Sequence, residues 1–316
     1  MANEQEVRVL APAKVNLILR VLDRRPDGYH NLWSLMQTVE LEDELRLRLR
    51  PDGTGVVLTC DDTTLPTDGR NLAARAAALV LERAGPPASR KTGVEIEMVK
   101  RIPVSAGLGG GSSDAAATIV GLSRLLGLNW SAGEMAKLSE PLGSDVPFFF
   151  HAPTAVVSGR GDHVTPMTLT GTRWVVIVNP GFPIETKWAY ERLSAARNTV
   201  HPLAEGLVKL TVKPSLSWGD IIPLMENDFE APLAPAHAVL GAIKAELVAQ
   251  GAEAALLSGS GATVFGVFKD EDSATAARRV LSRMPGRRVY AVRAGAGPIA
   301  CAEPVRSSGH HPLRVG

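Results

Sequence analysis

The chain has 316 residues, 45% of them hydrophobic and 21% charged, with 34 Lys+Arg against 33 Asp+Glu for a formal net charge of +1. That balance excludes a global field favouring nucleic acid or an anionic membrane, and the length suits one large or two medium domains. Cys60 and Cys301 are too far apart in sequence to read as a disulfide framework or a metal cluster, no apolar run approaches the roughly 20 residues of a membrane span, and Met1 to Glu6 lacks the regions of a secretory signal. A cytoplasmic location, a small-molecule partner and a monomer or weak homodimer are the expectations.

Val7–Leu10 and Val15–Leu22 read as two strands separated by Ala11 to Lys14, where Pro12 interrupts the ladder. Pro26-Asp27-Gly28 is a turn, and Leu45 to Arg50 alternates strictly, so its three arginines form a solvated face. Asn71 to Ala84 is an alanine-rich helix ending at Gly85-Pro86-Pro87. Gly93 to Val99 then alternates apolar and polar residues, the period of a half-buried strand.

Pro103 to Ala117, Pro-Val-Ser-Ala-Gly-Leu-Gly-Gly-Gly-Ser-Ser-Asp-Ala-Ala-Ala, carries the strongest chemical signal. Gly107, Gly109, Gly110 and Gly111 can take backbone conformations closed to other residues and let main-chain N–H groups approach an anion. Ser112 or Ser113 is expected to cap the helix that Asp114 begins, placing its amides and positive dipole end beside a phosphate. The loop is not a Walker A sequence, because no Gly-Lys pair occurs, and Ser112 stands where a dinucleotide-binding turn needs its third glycine.

Ser131 to Leu142 reads as a short helix stopped by Gly143, and Gly143 to Phe150 sets one carboxylate, Asp145, between a turn and a dense apolar run. Trp174 to Val178 is an apolar strand near which a second domain begins, and Asn198 to Trp218 reads as an irregular connection. Ala236 to Gln250 reads as an amphipathic helix closed by Gly251, Ser273 to Met284 as another helix, and Arg288 to Val292 as a last strand. Between them lies a second glycine-serine loop, Ser258 to Gly261, leading into an apolar strand. The tail from about residue 303, with His310-His311, shows no period and is expected to be disordered.

Three segments in this order, Pro12 to Leu17, the first glycine loop and Leu257 to Ala262, resemble the GHMP kinases. Asp27 to Leu32 and Leu142 to Phe148 most resemble those members that act on 4-diphosphocytidyl-2-C-methyl-D-erythritol. The resemblance implies an α+β, two-domain fold. Residues 1–168 would form an N-terminal ATP-binding domain like ribosomal protein S5 domain 2, residues 169–316 a C-terminal α/β sandwich, with the active site in the cleft between them. It implies phosphorylation of the acceptor's 2-hydroxyl by ATP with Mg2+, in the non-mevalonate route to isoprenoid precursors.

Motif positions carry the catalytic pair onto Lys14 and Asp145, and the ATP loop onto Pro103, Val104, Ser105, Ala106, Gly107, Leu108, Gly109, Gly110, Gly111, Ser112 and Ser113, with Asn71 and Lys100 near the nucleotide. Asp145 would accept the hydroxyl proton while Lys14 orients it and the loop amides offset phosphate charge. Tyr29 and His30 would read the cytosine by stacking and hydrogen bonding, with Asn16 and Phe182 beside the same substrate. Ser260 and Gly261 are assigned to substrate as well. For the loop that holds them, closure over the ligands and a tight turn into the next strand both stay open, as do the metal ligands. A GHMP kinase for mevalonate or homoserine and an S5-like RNA-binding module are the rival readings.

Overall fold

The computed structural model describes residues 6–50, 53–85, 92–196 and 202–302. The expected disorder of the tail from 303 lies outside them. Strand β1 (Glu6–Arg24) runs antiparallel to β2 (His30–Arg50) along nearly its whole length. Pro12 does not divide β1: the ladder passes through it with a β-bulge between Pro12 and Ala13, and the missing proline amide is absorbed there.

The bulge changes which face each residue takes. Val7, Val9 and Ala11 belong to the core cluster beneath the helices, whereas Ala13, Val15 and Leu17 belong to a different cluster beyond the sheet. The register jumps there from Pro12 opposite Glu42 to Ala13 opposite Val39, so Glu40 and Leu41 of β2 lie between paired residues and the strict alternation of faces breaks at this point. Lys14 and Asn16 consequently project to the side on which the glycine-loop helix sits.

Strand β2 shares its other edge between two partners. Glu44–Arg50 pairs with β4 (Gly93–Val99), which β3 (Val56–Cys60) joins in parallel, while Leu32–Gln37 pairs with β5 (Thr154–Gly159) and through it β6 (His163–Pro166). Helices α1 (Leu72–Ala84), α2 (Gly110–Leu125) and α3 (Ala132–Ser139) cover one face, burying Ala76, Val80, Ile119 and Leu122. A capping box between Ser131 and Glu134 starts α3, which ends three residues before the expected Leu142. The solvated face of β2 holds as expected, with Arg48 paired to Glu6 and Glu95.

A two-residue strand, β7 (Leu169–Thr170), precedes the second sheet, whose order is β10 (Ala254–Leu257), β11 (Val264–Phe268), β8 (Trp174–Asn179), β12 (Arg288–Arg293), all antiparallel. Val175, Ile177, Phe265 and Val267 on its inner face pack against Val15, Leu17 and Leu35 of the first sheet. Its outer face is covered by α4 (Thr186–Ala196), α6 (Ala238–Ala249) and α7 (Glu271–Leu281). The chain finally returns to β1 through β13 (Cys301–Ala302). The stretch from Asn198 to Trp218 is not wholly irregular. Its described part contains α5 (Glu205–Thr211) and β9 (Leu216–Ser217), which seat Leu207, Leu210 and Leu216 in the cluster between the sheets.

Candidate active site

Where the two units meet, a cleft of about 980 Å³ is lined from β1 by Lys14 and Asn16, from the first glycine loop by Gly107 and Gly109, and from the second by Gly259 and Ser260. Lys14 is buried on β1, and its Nζ donates to Asn16 Oδ1 at 2.7 Å and lies 3.5 Å from Asp145 Oδ2. Asn16 in turn donates to Ser34 Oγ at 2.8 Å, and Ser34 to Ile18 O, so the amide is fixed with its oxygen toward the ammonium. Asp145 stands just before a 3-10 turn of Pro147–Phe150, whose phenylalanines are buried and anchor it. Its carboxylate keeps one third of its surface open to the cleft. Two residues from opposite ends of the N-terminal unit's sequence thus meet at one point.

The first loop differs from expectation at its cap. Helix α2 begins at Gly110, with Gly109 as N-cap in a left-handed conformation at φ 70°, and no side chain caps it. Ser112 and Ser113 therefore lie within the first turn rather than before it. Glycine makes this geometry possible, since a Cβ on Gly109 would lie 2.9 Å from Lys14 Cγ. The first-turn amides of Gly110 to Ser112 are left without a side-chain acceptor, as an anion-binding helix end requires.

The two glycine loops interlock. Ser258 Oγ donates to Gly107 O at 3.0 Å, and a Cβ on Gly107 would fall 2.0 Å from Ser258 O. Thr186 and Ser260 hydroxyls lie 3.2 Å apart, tying α4 to the second loop.

Among the other expected site residues, Tyr29 and His30 line the cleft, Tyr29 61% exposed with the Arg160 guanidinium 5.6 Å above its ring. His30 stacks on Tyr190 with ring centroids 4.9 Å apart, and its Nε2 meets Ser194 Oγ at 3.1 Å. Burial and the Arg24 charge, only partly offset by Asp23, lower the imidazole pKa, and burial beside Asp145 pushes the Tyr190 phenol up to about 12. Both rings are therefore neutral near pH 7. Tyr190, Ser194 and Arg160 were missed by sequence reasoning, which assigns no element to 184–197. The aromatic pair in Trp188-Ala189-Tyr190 was the available signal.

Three further expected site residues make other contacts. Asn71 is the N-cap of α1: its Oδ1 accepts from Ala73 N and its Nδ2 donates to Pro66 O, which uses both ends of the amide. Lys100 is buried beneath α2, paired with Asp43 and, at 2.6 Å, with Asp114, so its charge is spent inside the protein. Burial raises the Asp114 pKa to about 7 despite that lysine. Phe182 stacks on His237 with ring centroids 5.5 Å apart and is not among the residues lining the cleft.

No group of three or more His, Cys, Asp or Glu among the described residues could hold a metal ion. Ser112 and Asp145, two of the oxygen donors that line the cleft, suit a magnesium held chiefly by phosphate oxygens and water. Among the described residues, no helix is long and apolar enough to cross a membrane.

A glycine loop at a helix N-terminus, facing a buried ammonium and a carboxylate across a cleft between two sheets, defines a small-molecule kinase of the GHMP class. The profile of the GHMP kinases N terminal domain matches residues 71–152, and that of the GHMP kinases C terminal domain residues 207–286. The chain is 43% identical over 286 residues to the 4-diphosphocytidyl-2-C-methyl-D-erythritol kinase of Syntrophotalea carbinolica, covering 90% of this chain and 97% of that one. The kinase of the same name from Syntrophus aciditrophicus is 42% identical, covering 91% and 99%. A crystal structure of 4-(cytidine 5'-diphospho)-2C-methyl-D-erythritol kinase superposes with a TM-score of 0.75 at 34% identity, covering 92% of this chain and all of that one. A homoserine kinase from Cytophaga hutchinsonii shares the fold, with a TM-score of 0.72 at 21% identity over 96% and 99% of the two chains. The chain belongs to the 4-diphosphocytidyl-2-C-methyl-D-erythritol kinase family of the GHMP kinases.

Proposed function

We propose that the protein transfers the γ-phosphoryl group of ATP to the 2-hydroxyl of 4-diphosphocytidyl-2-C-methyl-D-erythritol, giving the 2-phosphate and ADP in the non-mevalonate route to isoprenoid precursors. The observation that carries this reading is the approach of Lys14 to Asp145, 3.5 Å apart, beside two interlocked glycine loops. The acceptor oxygen sits between these two side chains. Asp145 takes its proton as the new O–P bond forms, and the electron pair of the breaking P–O bond leaves on ADP. Lys14, oriented by Asn16, stabilises charge on the acceptor oxygen and the transferring group. The free amides of Gly110 to Ser112 receive the phosphates.

Magnesium carried by ATP would neutralise phosphate charge, and Ser112 and Asp145 would offer it oxygen donors from the cleft wall. His30, held neutral, can exchange hydrogen bonds with the polar edge of cytosine, and exposed Tyr29 offers a face for stacking.

An ADP-release assay with ATP and magnesium, run on the cytidylyl acceptor, mevalonate and homoserine, tests the reading. Turnover confined to the cytidylyl acceptor is expected. Equal or faster turnover of either small alcohol overturns it.

A further inference from the structure

The second glycine loop is held from behind by one side chain that sequence reasoning did not single out. Asn227 is 6% exposed, and its Nδ2 donates to Leu257 O at 2.7 Å and to Gly259 O at 2.8 Å, while its Oδ1 accepts from Phe229 N at 2.9 Å. Both amide protons thus grip carbonyls on either side of Ser258, the residue whose hydroxyl reaches Gly107.

The segment around Asn227 is itself stitched to the strand that carries Lys14. Leu19 N donates to Glu226 O at 2.8 Å and Asp228 N donates to Leu19 O at 3.0 Å, a parallel bridge a short way along β1 from Lys14. On the cleft side, Phe229 meets Tyr190 edge-on at 4.9 Å. Height matters here, because a Cβ on Gly259 would lie only 3.2 Å from Gly107 O and 3.6 Å from Lys14 Nζ. A loop that rose would uncover Lys14, and one that sank would collide with the first loop.

We propose that Asn227 is a positioning residue for phosphoryl transfer: its carboxamide fixes the second glycine loop at the height where Gly259 and Ser260 close the cleft over Lys14 and the first glycine loop. The inference rests on the kinase reading above. Only an amide supplies two donors and an acceptor from one small group at this point. A carboxylate of the same shape in its place would turn a lone pair toward two carbonyl oxygens and leave at least one of them unpaired.

The test compares Asn227→Asp, Asn227→Ser, Ser258→Ala, the double variant Asn227→Asp with Ser258→Ala, and Asp228→Asn. Asp228 accepts from Val21 N on the far side of the segment and serves as the scaffold control. Each variant is assayed for kcat, for KM of ATP and of the cytidylyl acceptor, and for Tm. Asn227→Asp is expected to lower kcat by roughly tenfold or more, with smaller changes in either KM. The double variant should be no slower than Asn227→Asp, because the Ser258 contact is already lost. Asp228→Asn should lower Tm without that fall in kcat. If Asn227→Asp does not fold, Asn227→Ser, which keeps one donor, is read in its place. Additive losses in the double variant, or equal Tm losses for positions 227 and 228 with kcat unchanged, overturn the inference. An inactive wild-type protein instead overturns the kinase reading.

Discussion

Lys14 and Asp145 carry separate tasks at the acceptor oxygen, so each should be costly alone. Lys14→Ala and Asp145→Asn are expected to lower kcat by about 10²–10⁴-fold while the thermal melt stays cooperative, since neither sits in an apolar cluster. Steady-state rates paired with melting curves check this. His30→Ala should raise KM for the cytidylyl acceptor more than KM for ATP. Because its surroundings lower the imidazole pKa, His30 stays neutral from neutral pH down past the ordinary value of 6.5. The acceptor KM should therefore be flat over that interval and rise only in more acid solution. A KM–pH profile that bends above 6.5 would contradict the assignment. Lys100 makes a different kind of prediction. Lys100→Met leaves Asp43 and Asp114 buried without their cation, a loss of about 3–5 kcal/mol of stability by analogy with broken buried pairs. Asp114, raised to about 7, favours its protonated form in the folded state, so the stability linked to it is present below 3.8 and lost as pH rises through about 7. Chemical denaturation should find the variant's deficit smaller on the acid side.

At the scale of elements, the interlocked loops set the strictest steric condition. Gly107→Ala would drive a methyl group to 2.0 Å from Ser258 O, against backbone on both sides and at φ 77°. Loss of most turnover together with a lowered Tm is expected, and normal kinetics would show that the loops can part without cost. The first loop was legible in sequence because glycines, serines and an alanine run are all local. Its cap was not: Ser112 and Ser113 look like capping residues, yet left-handed Gly109 begins the helix and leaves the amides free. Asn71 shows the converse, an asparagine placed beside the nucleotide by motif that serves as a helix cap. Helix α4, which brings Tyr190 and Ser194 to His30, was not read at all. Only Ala189 and Leu193 are buried in it, too few apolar positions to mark a helical stripe.

Across the whole molecule, one apolar layer joins the two sheets. Phe265 is fully buried in it, from β11, against residues of β1 and β2. Phe265→Ala should cost about 3–5 kcal/mol, and calorimetry should still show one transition, because both sheets lose contacts together. Two separable transitions would mean that the sheets unfold independently. The two-domain α+β plan was legible as a family resemblance, whereas the joining of the sheets was not. Lys14 and Asp145 are paired in the sequence only through the family motifs around them, whereas nothing in the local sequence of Asn227 or Gly259 points to the partner.

The irregularity between Pro12 and Ala13 makes β1 intolerant of a change in length. Excising a single residue there would invert the alternation of everything beyond it. Ala13 and Val15 would then confront the nucleotide, while an ammonium and a carboxamide would be thrust into the greasy seam where the halves join. A kinase could thus be silenced by a shortening that alters no reacting group.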